Sequence, residues 1–552
     1  MGQNLRFVCF ERGSNLAIAC LKTARGFQHQ DGGKDLRRPP KLKRLSVSVS
    51  QVCQQMFGQR MIHNMEAHGT ILSQLEGYRM RSSMSEVSQV AGLILAAGKG
   101  TRMKSELPKC LHEVCGVPMV EMVISALAEV GVSRPVIVVG HGADQMREVL
   151  GDKYEFATQE QQLGTGHAVL MAKDQFTGFE GSIVVACGDT PMLRGSTIKA
   201  LVDQKNATGA AASMAVVSAK DPSGYGRIER DADGNVLRIV EEKDIKPSES
   251  HLKQINEINP ALYCFDAKTL FELLPDKPSD TTGEFYLTDV IGRIRETGGK
   301  VAAVVFHDED EFQGVNDRWQ LSKAAKTLRM RILEGHAKNG VTIVDPDSTF
   351  ITSGVKIEPD TTIQPMTVIE GTTTIGSGCS IGPNTWIKDA TIGNSVRVFM
   401  SHIDQATMRD GSRCGPFANL RPDAELGEKV KIGNFVEIKN AKIGPNTSIS
   451  HLTYIGDASV GSGTNIGAGT ITCNYDGFNK HKTVIGDDVF IGSNSTLVAP
   501  LNIGNGSMTA AGSVVTRDTP DNSMAIGRAR QENKEEWAKI WRDHKKTAKE
   551  QS

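Results

Sequence analysis

Residues 368–387 read VIEGTTTIGSGCSIGPNTWI, with isoleucine at 369, 375, 381 and 387. The six-residue step returns in Leu420, Leu426, Ile432 and Ile438, in Ile443, Ile449 and Ile455, and in Ile485, Ile491, Leu497 and Ile503. The dipeptide Ile-Gly occurs ten times between 375 and 504. A sustained period of six is the signature of a hexapeptide solenoid. Each unit is a short strand plus a turn, and three units close one triangular coil. The aliphatic side chain points inward, Gly or Asn takes turn positions that need positive φ, and coils stack in one dimension.

The repeat spans about 339–526. Hexapeptide repeats resemble the left-handed parallel β-helix, an exception to the usual right-handed crossover. The solenoid accounts for 56 glycines in 552 residues and for aromatic content of only 5%. Such a domain can be an inert scaffold, so its breaks carry more information than its period. Pro416–Pro422 is expected to interrupt one coil. Ser450-His451-Leu452-Thr453-Tyr454 puts polar residues where aliphatics alternate, and Thr470–Val484 reads as an inserted loop.

Upstream, 316–338 has the composition of a linker helix. Downstream, 527–552 carries Trp537 and Trp541 among several lysines. It reads either as an amphipathic helix crossing to a neighbouring subunit or as a frayed end.

The segment 89–315 has a different grammar. Val90–Leu95 is an apolar strand followed at once by Ala96-Ala97-Gly98-Lys99-Gly100-Thr101-Arg102-Met103. Strand, glycine loop and cations together suit a phosphate cradle. The loop is neither a Walker A sequence nor GxGxxG, and by itself it is as open to a structural turn as to a nucleotide. Leu107-Pro108-Lys109 adds a cation. Met119–Gly131 reads as a helix, and Arg134–Val139 and Ile183–Val185 as buried strands. Together they predict a doubly wound α/β sheet. Asp189 then stands at the C-terminal end of a strand, facing the ligand crevice, as a hard oxygen ligand for magnesium.

Composition narrows the classes. At 552 residues the prior is three or four domains. The charge is −1, from 63 Lys+Arg against 64 Asp+Glu, which argues against a wholly basic polyanion binder. No apolar run approaches the ~18–20 residues needed to span a bilayer. Neither nucleic acid nor membrane is therefore an expected partner. The ten cysteines form no CxxC pair, which suits free cytosolic thiols. Residues 1–83 carry a net +8 and the rest −9. The run Arg37–Arg44 reads as a solvated basic linker, and Glu11 and Arg12 rule out a secretory signal. The expectation for 1–83 is a disordered extension or a start assigned too far upstream, with Met84 as a plausible native start. A transit peptide or an anionic-surface contact are lesser alternatives.

LAAGKGTRM at 95–103, LPK at 107–109 and QLGTGHA at 162–168 resemble the sugar-1-phosphate nucleotidyltransferases. GYGRI at 224–228, VEEKD at 240–244, EIN at 257–259, GEFYLTD at 283–289 and GVN at 314–316 narrow the likeness. Together they resemble the uridylyltransferase half of the bifunctional bacterial enzymes that make UDP-N-acetylglucosamine. That likeness implies a Rossmann-like nucleotidyltransferase domain in which Leu95, Ala96, Ala97 and Gly98 hold the nucleoside side of UTP. Arg102 and Lys109 would neutralise the triphosphate. Gln159, Gly164 and Thr165 would contact the base, Gly226, Glu241 and Asn259 the amino sugar, and Asp189 and Asn316 would ligate Mg2+. Cys187 and Pro260 depart from the family's usual residues.

GNFVEIKN at 433–440, HLTYIGD at 451–457, NIGAGTITCNYDG at 465–477 and IGDDVFIGS at 485–493 resemble the acetyltransferase half of the same enzymes. The resemblance implies His451 as general base toward glucosamine-1-phosphate, with Arg421 and Lys439 on its phosphate and Tyr454 and Asn465 orienting the sugar. Asn474, Tyr475, Ala468, Ser493 and Ala511 would line the acetyl-CoA site, and Arg528 would meet the CoA phosphates. It further implies a cytoplasmic homotrimer feeding peptidoglycan and lipopolysaccharide precursors. Two other readings stand beside it. One is a single-activity nucleotidyltransferase with a β-helix for assembly, and the other is a non-catalytic scaffold, for which phosphate and metal positions would be degraded.

Overall fold

The computed structural model describes residues 8–10, 17–19 and 89–551. The chain divides into units Met1–Ser85 and Glu86–Ser552. In the first, two three-residue strands, Val8–Phe10 and Ala17–Ala19, pair antiparallel. The expectation of a disordered or misassigned extension otherwise falls outside the described residues.

The second unit opens with a ten-stranded sheet. Val90–Leu95 lies inside it, third from one edge, parallel both to Val136–Val139 and to Ser182–Cys187. Glu155–Thr158 adds a parallel edge beside Val136–Val139. The chain thus leaves the first strand in one direction and returns on its other side. The two directions part at Leu95 and Cys187, which are register partners, and ligand crevices of open α/β sheets form at such a point. Leu93, Ile94, Ile137, Val138, Val184 and Val185 are fully buried, as strands covered on both faces must be.

Beyond Cys187 the doubly wound expectation is corrected. Tyr263–Asp266 pairs antiparallel with both Ser182–Cys187 and Ala212–Ser218. Glu257–Asn259, Gly226–Arg230 and Val236–Val240 continue antiparallel, and only Val301–Phe306 restores a parallel pair. Helix Gly195–Thr208 still separates Ser182–Cys187 from Ala212–Ser218, but Tyr263–Asp266 inserts antiparallel between them, and only Gly226–Arg230 and Val236–Val240 are joined as a hairpin. The expected helix at 119–131 is Met119–Ala128.

Helix Arg318–Lys338 links the sheet to the solenoid. Its Leu333 belongs to the solenoid's own core, and Arg329 stacks 4.1 Å over the Phe350 ring. From Thr342–Ile343 to Met524–Ala525 the strands pair in parallel, most of them short and paired with the third strand onward, while Lys431–Ile443 and Ser448–Val460 each run unbroken for 13 residues. Partners lie 16, 17 or 18 residues apart in most coils. This is a parallel β-helix whose core stacks Ile369, Ile387, Ile403, Leu420, Ile438 and Ile455, all without solvent contact.

Three expectations about its breaks change. Pro416–Pro422 does not interrupt a coil, since Asn419–Leu420 continues the ladder between His402–Ile403 and Glu437–Ile438. The insertion is shorter than 470–484, because Ile471–Cys473 and Thr483–Ile485 are strands. Residues 474–482 alone leave the coil and lengthen that turn of the solenoid to 25 residues. Finally, positive φ is not confined to Gly and Asn. Met366, Met400, Phe417, Phe435 and Leu452 adopt it too, and the left-handed bend turns these side chains outward. The tail helix Trp537–Glu550 is exposed along its whole length. Among the described residues no helix is long and apolar enough to cross a membrane.

Two candidate active sites

The first site lies at the parting of the sheet. After Leu95 the chain turns sharply, Ala96 N–H donating to Val138 O at 2.9 Å. Gly98 is exposed with open space where a Cβ would stand. At Gly100, φ is +59°, and a Cβ would meet Lys109 Cβ at 2.7 Å. Glycine there lets Lys109 approach. Asp189 and Asn316, far apart in sequence, are brought together when Val315 N–H donates to Asp189 O at 2.9 Å. Lys109 Nζ donates to Asp189 Oδ2 and, at 3.2 Å, to Asn316 Oδ1. Arg102 Nη2 donates to the same Asn316 oxygen at 2.9 Å. Burial would lower the Lys109 pKa, but the charge and hydrogen bond of Asp189 outweigh it and hold it above the ordinary value. The thiol of Cys187 is pushed up to about 12, first by burial and then by Asp189, so it is no nucleophile at neutral pH.

The donor set fits magnesium. Two hard oxygens, one anionic, converge at a point already held by a cation, the Lys109 ammonium. Among the described residues no group of three or more His, Cys, Asp or Glu could cage a metal. Two protein oxygens leave room for the waters and substrate phosphates that magnesium keeps as its other ligands.

The pocket walls gather the remaining residues. Gln159 is buried, and its Nε2 donates to Gly164 O at 3.1 Å and to His167 Nδ1 at 3.0 Å, which leaves Oε1 for a ligand. Gly164 has φ +110°, and a Cβ would strike Phe285 O at 2.4 Å. Thr165 Oγ1 accepts from Leu287 N at 3.0 Å. Gly226 pairs with Asn259 across two antiparallel strands, and a Cβ there would stand 3.3 Å from both Glu241 carboxylate oxygens. Glu241 accepts from Thr288 Oγ1 at 3.2 Å. Burial holds its pKa above the ordinary value, with Asp244, Asp289 and Glu284 adding to the rise. Gly226, Glu241 and Asn259 thus form one cradle.

The second site runs along a corner of the β-helix. His451 pairs in register with Asn434 one coil earlier, and His451 Nδ1 lies 2.5 Å from Asn434 Oδ1. An amide oxygen only accepts, so Nδ1 is the donor, and in the neutral imidazole Nε2 is then the nitrogen with the free lone pair. The corner then repeats. Gly469 N–H donates to His451 O, Asn494 N–H to Ala468 O, and Gly512 N–H to Ser493 O. Ala468, Ser493 and Ala511 therefore follow His451 in successive coils, and Arg528 Cδ lies about 4.0 Å from where a Gly512 Cβ would stand.

Beside this corner Tyr454 pairs with Glu437, and Glu437 Oε1 accepts from Arg421 Nη1 at 2.8 Å. Lys439 has its pKa lowered by the neighbouring charge of Lys480 and then by Arg421. Arg421, Lys439 and Lys480 gather here, with Glu437 and Asp457 beside them, and the crowding of three cations suits a phosphate. Asn474 Nδ2 donates to Asp457. Tyr475 is exposed, its Oη donating to Gly477 O at 2.5 Å. Asn465 lies on the adjoining face, in register with Ser448 and Phe490, so within one chain it is not beside Tyr454. Sequence reasoning missed Asn434, Glu437 and Lys480. Asn434 stands 17 positions before His451, one coil earlier.

Comparison with known proteins adds independent findings. The family described as Nucleotidyl transferase matches residues 91–320. Bacterial transferase hexapeptide (six repeats) matches 354–389 and 482–517. The chain is 48% identical over 450 residues to "Bifunctional protein GlmU" of Latilactobacillus sakei, covering 81% of this chain and 97% of that protein. It is 48% identical over 447 residues to the protein of that name from Streptococcus agalactiae serotype V, covering 81% and 97%. It is 49% identical over 449 residues to that of Carboxydothermus hydrogenoformans, covering 81% and 100%.

Proposed function

Because this chain belongs to the family of bifunctional GlmU proteins, we propose a division of labour between its two sites in making UDP-N-acetylglucosamine. The chain is a bifunctional transferase, a nucleotidyltransferase followed by a hexapeptide acetyltransferase. The β-helix carries acetyl transfer from acetyl-CoA to the amine of glucosamine-1-phosphate. The sheet domain, 89–315, then joins N-acetylglucosamine-1-phosphate to UMP from UTP and releases pyrophosphate.

In the second site His451 Nε2 takes the proton from the sugar amine as that amine attacks the thioester carbonyl. Asn434 holds the tautomer that leaves Nε2 free. Arg421, Lys439 and Lys480 bind the sugar phosphate, and Tyr454 orients the ring. The observation that carries this reading is the succession His451, Ala468, Ser493, Ala511, Arg528. An extended pantetheine arm laid along that corner would place its sulfur at the base and its phosphates at the arginine. Asn474 and Tyr475 complete the walls, and Asn465, on the adjoining face, would reach such a site from a neighbouring copy. The exposed corner stripe of Met366, Phe417, Phe435 and Leu452, with Phe417 and Phe435 stacked at 5.4 Å, supports assembly into a homotrimer, in which a neighbouring copy would close the groove.

In the first site Leu95–Gly98, Gln159, Gly164 and Thr165 bind the nucleoside, and Gly226, Glu241 and Asn259 bind the amino sugar. Asp189 and Asn316 would hold Mg2+, which when bound screens the phosphates and orients the α-phosphorus for in-line attack. Arg102 and Lys109 neutralise the triphosphate. The free cysteines among the described residues suit a reducing, cytoplasmic setting.

The test follows both products in one tube containing glucosamine-1-phosphate, acetyl-CoA, UTP and magnesium. Free thiol and pyrophosphate are expected, with pyrophosphate dependent on acetyl-CoA. Pyrophosphate from supplied N-acetylglucosamine-1-phosphate with no thiol release would reduce the β-helix to a scaffold.

A further inference from the structure

The linker helix starts two residues after Asn316. Asp317 caps it, Oδ1 accepting from Gln320 N–H at 2.8 Å. The Gln320 side chain reaches back, and its Oε1 accepts the N–H of Asn316 at 2.7 Å. In an ordinary capping box the third helical residue serves the N–H of the cap itself. Here it serves the residue before the cap, whose side chain faces Asp189 and Lys109. The same turn touches the glycine loop. Arg318 Nε donates to Met103 O at 3.3 Å, at the end of the 3-10 turn Thr101–Met103. More than three turns further into the helix, Arg331 Nη1 donates to Met192 O at 2.9 Å, in the loop that follows Asp189.

Asn316 Oδ1 is held by two cations, Arg102 and Lys109. Both are placed to turn toward a bound triphosphate. Once they do, only two anchors fix the residue: its Nδ2–H to Gly314 O at 3.4 Å and its backbone N–H to Gln320. The first is long for a hydrogen bond, so the second sets the backbone.

We propose that Gln320 is a positioning residue for the divalent cation of the uridylyl-transfer site, acting from the linker helix through the backbone of Asn316. The inference rests on Asp189 and Asn316 being the protein's ligands to that cation. Removing the Gln320 acceptor leaves the Asn316 N–H unpaired and lets Asn316 shift between its anchored neighbours Val315 and Asp317. Loss of such an outer partner costs about 10–100-fold in metal affinity at comparable sites.

The experiment titrates Mn2+, visible by electron paramagnetic resonance, into the full-length protein with UTP present. Wild type is compared with Q320L, Q320E and D189N, and CoA release is followed on each. Q320L is expected to bind Mn2+ about 10–100-fold more weakly and to leave CoA release unchanged. Q320E, which keeps an acceptor oxygen, is expected to stay near wild type, and D189N to lose the site. Wild-type Mn2+ binding by Q320L, with D189N impaired, overturns the proposal. Wild-type binding by D189N overturns the ligand assignment beneath it. If Q320L also loses CoA release through misfolding, Q320N, whose amide sits one methylene too short, is read in its place with the same two outcomes.

Discussion

Lys109 donates through one ammonium to both Asp189 and Asn316, so a cation of the protein's own stands where the divalent ion is assigned. A divalent ion held by these oxygens would compete with the lysine until a triphosphate offered the ammonium another partner. Lys109→Met is expected to bind Mn2+ more tightly than wild type in the absence of nucleotide. The same variant should lose uridylyl transfer by about 10²–10³, the scale for removing one preorganised charge-stabilising group. Mn2+ titration without UTP, set beside pyrophosphate release, checks both signs. Weaker Mn2+ binding by the variant would refute the competition.

His451 and Asn434 act as a pair. His451→Ala should lower acetyl transfer by about 10²–10⁴, the usual worth of a general base, and leave uridylyl transfer intact. Asn434→Ala should cost about 10–100-fold, by analogy with loss of the second hydrogen bond of a metal-bound imidazole. Thiol release and pyrophosphate release, measured separately, decide this. Equal loss of both activities in His451→Ala would contradict two independent sites.

Glu241 is held above the ordinary carboxylate range by burial. A carboxyl whose folded pKa exceeds its unfolded one incurs no penalty below the unfolded pKa. Its ionisation destabilises the fold increasingly as pH rises through the folded value. Glu241→Gln should therefore raise the thermal midpoint at pH 8 and leave it nearly unchanged at pH 4. The amide cannot replace a charged acceptor, so the KM for N-acetylglucosamine-1-phosphate should rise. In wild type the same KM should begin to rise on acidification at a pH above the ordinary Glu pKa of about 4.3. Thermal scans at the two pH values and sugar-phosphate saturation curves test the trade.

Gly456 has a narrower role. A Cβ there would come within 2.2 Å of Tyr454 Oη, and its three nearest atoms all belong to that ring. Gly456→Ala should swing Tyr454 aside without disturbing the coil. Its acetyl-transfer defect should match that of Tyr454→Ala, with uridylyl transfer and thermal midpoint preserved. A defect confined to stability would place the ring outside the sugar site.

The period of six made the β-helix legible because burial enforces it. Ile369, Ile375, Ile381 and Ile387 can point inward only at that step. The nucleotide cradle was legible because Gly100 and Gly164 sit where any side chain collides with neighbours. Other features left no local trace. Strand composition does not say whether Tyr263–Asp266 runs parallel or antiparallel, since either environment buries the same residues. Phe417 and Phe435 at positive φ break the expectation for such corners because the left-handed bend is imposed by the coil rather than chosen by the residue. Asn434 and Gln320 matter through contacts set by coil length and helix capping. Coil length drifts between 16 and 18 residues, so register must be seen before partners can be named.

The loop at 474–482 enlarges one coil to 25 residues, yet Ala468 and Ser493 remain adjacent along the corner. Chain length and site length are thus decoupled. The corner behaves as a ruler with graduations about 4.8 Å apart, the spacing of paired strands. Extra residues can bulge sideways from any graduation without changing the reading. Deleting one whole graduation between His451 and Arg528 would keep the base and the arginine but set them one step closer, and so measure a shorter molecule.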